Sequence, residues 1–222
     1  YNNSKKKVKN LSLEIEEKFN VKTSIIKADL SNFKQLNQVI PLVAKKLGPI
    51  NCLINNAASF EYDNINNISL KSWDFHINTN IRAPVFLCKS FVNQLPKKCK
   101  GNIINIIDQR VWNLTPHFTS YTLSKSALWT LTQTLALSLS PNIRVNAIGP
   151  GPTIKSKMQT TKEFEKQYKR MPLKRQVNLE EITESINLLI NSPSITGQMI
   201  ALDSGQHLGW AHNNNKKLNK ED

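Results

Sequence analysis

The chain has 222 residues, 39% of them apolar, and a formal net charge of +14 from 30 Lys and Arg against 16 Asp and Glu. That length suits one sizeable α/β domain and falls short of two typical ones. Residues 1–212 read as that domain and 213–222 as a disordered polar tail. No window approaches the roughly 18 uninterrupted apolar residues of a membrane-spanning helix, so no membrane association is expected. The basic residues are scattered over helix surfaces and the tail, which argues against a nucleic-acid partner. Cys52, Cys88 and Cys99 show no C-x-x-C spacing and read as reduced thiols of a cytoplasmic protein.

Ser4 is placed to cap a helix running to about Phe19, with Val8, Leu11, Leu13 and Ile15 as its apolar positions. A strand is expected over Thr23 to Ala28. Ser31 is placed to cap a second helix, which Pro41 should kink and which stops at Gly48 and Pro49. Ile50 to Ile54 is a short apolar run ending in NNAAS, the pattern of a buried parallel strand that empties into a functional loop. A long helix follows from about Leu70 to Leu95, interrupted at Pro84. Then come an isoleucine-rich strand from Asn102 to Ile107, a helix from Ser120 to Leu139 and a strand from Ile143 to Ile148. Past the GPGPT turn lies a basic, poorly periodic stretch to about Val177, then a helix from Asn178 to Ile190 and a last strand at Met199 to Leu202.

Strands alternating with helices imply an α/β fold, a doubly wound parallel sheet with helices on both faces. Ligands of such sheets bind beyond the carboxyl ends of the strands. Asp29, Asn55 to Ala58, Asp108 and Pro150 to Thr153 all fall there.

Tyr121 and Lys125, in YTLSK, stand four apart and share a helix face. A nearby ammonium favours the phenolate and lowers a tyrosine pKa from about 10, fitting the phenol for general acid work. The pair alone is also the signature of an ordinary surface contact. Its company carries more weight: NNAAS, then Asn80 in NTNIRAP, Asp108 closing IINIID, YTLSK, RVNAIGPGPT and LDSGQHL, in that order.

This series resembles the short-chain dehydrogenase/reductase family from residue 1 to about residue 210. The resemblance implies a Rossmann-like three-layer αβα fold and an NAD(P)H-dependent reductase. It makes Tyr121 the proton donor, Lys125 the ligand of the nicotinamide ribose, and Asn80 the holder of a water in a proton relay. Asn55, Asn56, Ala57 and Ala58 would line the cofactor, together with Asp29, Leu30, Pro150, Gly151 and Thr153. Asp29 matches the residue that contacts adenine, though a helix-capping aspartate would look the same. YNNS matches the segment that holds the 2′-phosphate of NADP, with Ser4 kept and Asn3 in place of the usual Arg. NADPH is therefore the expected cofactor, and NADH the alternative. The resemblance also implies homo-oligomers, usually tetramers. The histidines lack metal-ligand spacing, so no metal is expected.

Asp108 stands thirteen residues before Tyr121, where most members of the family have a serine. An aspartate there resembles the pteridine reductase branch, with its alternative dihydrofolate and dihydromonapterin reductases. Reducing a C=N bond needs hydride at carbon and a proton at nitrogen, and a carboxyl can hold the ring and help deliver the proton. The substrate implied is a small molecule, a dihydropterin or dihydrofolate. The alternatives are a carbonyl or alcohol oxidoreductase acting on a 3-oxoacyl or sugar substrate, and a non-catalytic remnant. Trp112, Phe118, Tyr168 and Met171 are expected to frame the substrate, the last two on a mobile lid spanning Met158 to Met171. No glycine precedes Gly48, so the glycine-rich turn that cradles the pyrophosphate is missing. The fold is therefore expected to lack its first strand and helix, and this chain, made alone, to be poorly stable and to bind cofactor weakly.

Overall fold

Beta-branched and asparagine-bearing runs build one parallel sheet in the computed structural model, which describes residues 1–156 and 159–209. Its strands β1 (Cys52–Asn55), β2 (Gly101–Ile106), β3 (Ile143–Pro150) and β4 (Met199–Leu202) lie side by side in that order. The register pairs Ile54 with Ile104, Ile104 with Asn146, and Ala147 with Met199.

Successive strand residues face opposite sides, and helices cover both. On one face Ile103 and Val145 pack with Cys88, Phe91 and Ala136, from α5 (Ala83–Gln94) and α6 (Thr119–Ser138). On the other, Ile104 and Ile148 pack with Leu189 of α8 (Leu179–Asn191). The asparagines inside the strands pair with neighbouring polar groups. Asn55 Nδ2 donates to Asn105 Oδ1 at 2.8 Å, and Asn105 Nδ2 to Thr132 Oγ1 at 2.8 Å, which ties β1 through β2 to α6.

The amino-terminal part departs from expectation. Helix α1 (Lys5–Phe19) forms after Ser4 as predicted, although the Ser4 side chain makes no capping bond. Residues 23–28 form no strand: a parallel strand needs a neighbour along its length, and only Tyr1 supplies one. The Tyr1 amino group donates to Ile26 O at 2.9 Å, and Ala28 N donates to Tyr1 O at 2.9 Å. The expected second helix is two pieces, α2 (Phe33–Leu36) and α3 (Val39–Leu47). Pro41 has no N–H for the Asn37 carbonyl, and the break falls at that point. Asn32 rather than Ser31 caps α2, accepting from Lys34 N and Gln35 N.

The long helix is also split, into α4 (Leu70–Ile77) and α5 by a π turn at Asn78–Arg82. Pro84 cannot donate to the Asn80 carbonyl four residues back, and the extra residue is accommodated there. The basic stretch conceals α7 (Thr161–Lys169), opened by a capping box between Thr160 and Glu163. Met158 and residues 210–222, including the polar tail, lie outside the described residues.

Candidate active site

Beyond the carboxyl end of β2 the chain turns at Asp108, whose Oδ1 accepts from Arg110 N at 2.8 Å and caps a short turn at Gln109–Val111. Its other oxygen accepts the Tyr121 hydroxyl, Oη to Oδ2, at 2.8 Å. One helical turn on, Lys125 Nζ donates to Ile106 O at 2.9 Å. Tyr121 and Lys125 are both buried.

The electrostatics differ from the sequence expectation. Burial pushes the Tyr121 pKa well above its usual value, the Asp108 carboxylate pushes it further, and Arg110 pulls the other way. Lys125 sits 5.8 Å from the Tyr121 ring and does not reverse this; burial draws its own pKa down to about 8, against an upward pull from Asp108. Desolvation thus prevails over the ammonium. The phenol keeps its proton at neutral pH and points it at a carboxylate, the state a proton donor must be in before a reduction.

Asn80 is fully buried, and its carboxamide grips the loop after β1. It accepts from Ser59 N at 2.7 Å and donates to Ser59 O at 2.9 Å and Ser124 Oγ at 3.0 Å. The side chain is therefore engaged with protein.

The loop brings in a residue missed in the sequence. Phe60 stacks on Phe118 at 4.8 Å between ring centroids and meets Tyr121 edge-on at 4.7 Å, with 39% of its surface exposed. Phe118, expected at the substrate, is only 2% exposed and backs Phe60 instead. An aromatic directly after NNAAS was the available signal. Trp112 packs edge-on against Trp129 and His207, away from the Phe60 cluster. Tyr168 meets Phe164 on α7, and Met171 is buried.

A cavity of about 570 Å³ opens beside β1, lined by Asp29, Leu30, Asn55, Asn56, Ala57 and Ala58 among others. The cavity thus brings one group of predicted cofactor residues together. Asp29 accepts from Ser31 N at 2.9 Å and Ser31 Oγ at 2.7 Å, a turn rather than a helix cap. Ser4 is exposed at the start of α1 and does not line the cavity, which Tyr1 and Asn2 reach. At the end of β3, Pro150 leads to Gly151, where an added Cβ would stand 2.7 Å from Asp203 Cα, so only glycine fits. Thr153 Oγ1 donates to Gly151 O at 3.0 Å. The residues present suit a dinucleotide on one observation above others: Asn55 lines this cavity, and its buried Oδ1 has no hydrogen-bond partner among the described residues.

A parallel sheet with a tyrosine, a lysine and a buried asparagine gathered past its strand ends defines a reductase or dehydrogenase. A family model described as enoyl-(acyl carrier protein) reductase matches residues 1–207, and the chain belongs to this family, the short-chain dehydrogenases/reductases. FolM alternative dihydrofolate reductase 1 from Brucella suis, solved in complex with NADP, is similar in structure with a TM-score of 0.92 and 40% identity. The match covers 96% of this chain and 85% of that one. A 3-oxoacyl-[acyl-carrier-protein] reductase, FabG of Buchnera aphidicola, is 30% identical over 82% of this chain and 77% of its own length. A blue fluorescent protein from a metagenomic library, solved with NADPH, has a TM-score of 0.83 and 26% identity over 92% of this chain and 85% of that one. Among the described residues no helix is long and apolar enough to cross a membrane.

Proposed function

We propose that this chain is the catalytic portion of an NADPH-dependent reductase of a dihydropterin or dihydrofolate ring. The observation that carries the reading is the Tyr121 Oη to Asp108 Oδ2 hydrogen bond of 2.8 Å, which sets a carboxylate between the proton donor and the substrate side. Phe60 supports it by offering a half-exposed ring face beside that bond for a flat heterocycle. The 40% identity to a FolM reductase supports it independently.

When bound, the nicotinamide supplies the hydride. Asp29 and Leu30 would hold the adenine end, Asn55 to Ala58 the length of the molecule, and Lys125, Pro150, Gly151 and Thr153 the nicotinamide end. Tyr121 Oη then gives up its proton, through Asp108 or beside it, to the ring nitrogen of the C=N bond. The carboxylate that raises the phenol's pKa stabilises the protonated reactant, and release of the proton is coupled to charge developing on that nitrogen. We place the enzyme in the cytoplasm, given three free cysteines, and read the exposed Leu123 and Leu137 of α6 as a contact between copies in a homo-oligomer.

The competing reading is a carbonyl reductase, favoured by the similarity to FabG. NADPH oxidation with dihydrobiopterin, dihydromonapterin and dihydrofolate, set against a 3-oxoacyl thioester and galactose, separates the two. Turnover with a pterin is expected, and Asp108→Ser should lower it by about 10²-fold while sparing any carbonyl activity. Turnover of the thioester alone would overturn the pterin reading.

A further inference from the structure

Behind Tyr121 lies a buried polar chain that the proposed chemistry does not use. Asp63 is 1% exposed, and His76 and Ser120 are 0% exposed. Glu61 N donates to His76 Nε2 at 3.0 Å, and His76 Nδ1 lies 2.6 Å from Ser120 Oγ. A backbone N–H can only donate, so Nε2 is the acceptor and Nδ1 carries the proton. His76 therefore donates to Ser120 Oγ, whose own proton goes to Asp63 Oδ2. The donors run one way from Glu61 to Asp63, and the Ser72 backbone makes a further bond to the imidazole.

The chain ends on the start of α6. That helix opens from Phe118, a left-handed residue with φ 59° that makes no side-chain cap. Asp63 does the capping from outside. Its backbone oxygen accepts Phe118 N at 2.7 Å and Thr119 N at 3.4 Å, and its Oδ1 accepts Ser120 N at 3.1 Å. Among the described residues no cation is paired with this buried carboxylate; the amides of the helix end stand in for one. The loop that carries Phe60 and the turn that carries Tyr121 are thereby fastened to each other, with His76 as the rivet.

We propose that neutral His76 is a positioning residue that holds Phe60 and Tyr121 in register for proton transfer, and that acid disables the enzyme by protonating it. A second proton on Nε2 would face the Glu61 N–H and break the first bond of the chain. The charged groups that face His76 are Asp63 and Glu61, both of which favour protonation, while burial opposes it and prevails, holding its pKa below the usual histidine value. Tyr121 meets the imidazole edge-on at 5.8 Å and adds an apolar wall.

The inference rests on Tyr121 being the proton donor, and the test separates the two. In the full protein with dihydrobiopterin, His76→Ala should lower kcat about tenfold with the NADPH Kd changed by less than about twofold. His76→Gln, whose carboxamide can accept from Glu61 and donate to Ser120, should recover most of the rate and lack the acid limb of the wild-type pH profile. Hydrogen exchange at the Phe118 and Ser120 amides, read without substrate, should quicken in His76→Ala and return toward wild type in His76→Gln. Unchanged exchange in His76→Ala overturns the proposal, as does a glutamine variant as slow as the alanine one with its acid limb intact. If the wild type turns over no pterin, the functional reading fails and the exchange data alone decide for or against the rivet.

Discussion

The sheet with α5, α6 and α8 and the first thirty residues are held by different means. Around the sheet, Phe91, Ile103, Ile104, Val145 and Ile148 are all 0% exposed. In the amino-terminal part α1 buries no residue, Leu13 is 56% exposed, and residues 23–28 are tied to Tyr1 by two backbone hydrogen bonds. Asp108, Tyr121, Lys125 and Asn80 belong wholly to the first region. Asp29 and Leu30, which the proposed function assigns to the adenine end, belong to the second. The proposed proton transfer therefore rests wholly on the sheet region, whereas the proposed cofactor contacts straddle both parts, with only the adenine end in the amino-terminal one.

The largest effect tests the chemistry against that division. Tyr121→Phe removes the donor proton and nothing from the amino-terminal part, so kcat should fall by about 10²–10⁴-fold while NADPH affinity stays within about twofold, by stopped-flow rates and fluorescence titration. A parallel collapse of affinity would show that the two regions are not separable. In packing the contrast should be nearly as large. Phe91→Ala opens a cavity between β2, β3 and α6 and should cost about 3–5 kcal/mol in denaturant unfolding. Leu13→Ala on α1 should stay within about 0.5 kcal/mol. Similar losses at both sites would erase the comparison.

Lys125 provides an electrostatic version. Its pKa falls from 10.5 to about 8 on burial, so between those values the unfolded chain holds a proton that the folded one lacks. Stability should therefore rise as pH increases from about 8 toward 10.5, by on the order of 3 kcal/mol at full development. Lys125→Met, which has nothing to titrate, should show no such rise. Denaturant midpoints of both proteins measured across that window check the sign; parallel curves would mean that Lys125 is better solvated than its burial implies.

How far the sequence revealed this arrangement follows the same division. Around the sheet, periodicity and strand-end loops located β1 to β4, α6 and α8 within a residue or two, because local pattern and tertiary packing agree there. Asp108 and Tyr121 were legible as partners, since strand end and helix start are joined by a short connection. Residues 23–28 have strand chemistry, but a strand is a property of two segments, and the neighbour is a single residue. Helix α7 was hidden because its wet face is long and charged and only its capping box announces it. His76 was invisible as a site residue for a different reason, and Phe60 had only its place after NNAAS to mark it. Each acts through contacts with α6, about 40 to 60 residues away in sequence, and no local pattern encodes a contact that the crossover creates. The same blindness applied to charge: a lysine one turn from a tyrosine reads as a pKa-lowering partner until burial and Asp108 are weighed.

The smallest effect concerns the seam that joins α1 to the extended segment. Glu16 Oε1 accepts Thr23 N at 2.9 Å and Thr23 Oγ1 at 2.7 Å, and Thr23 Oγ1 also meets Ser12 Oγ. These bonds hold the Glu16 pKa below the ordinary 4.5, the side-chain bond contributing most. A depressed carboxylate stabilises the fold above its ordinary pKa and loses that contribution as pH falls through the lowered value. Glu16 lies at the surface and is only partly covered, so water and salt screen the gain, and little of it should reach global stability. The local consequence is the readable one. Exchange at the Thr23 amide should quicken below pH 4.5 in the wild type, and in Glu16→Gln it should lose that acid dependence, while the amides of β2 and β3 respond to neither change. If acid loosened Thr23 and the sheet together, α1 would have to be coupled to the core by more than its exposed face allows, and the two-region description would fail at its weakest joint.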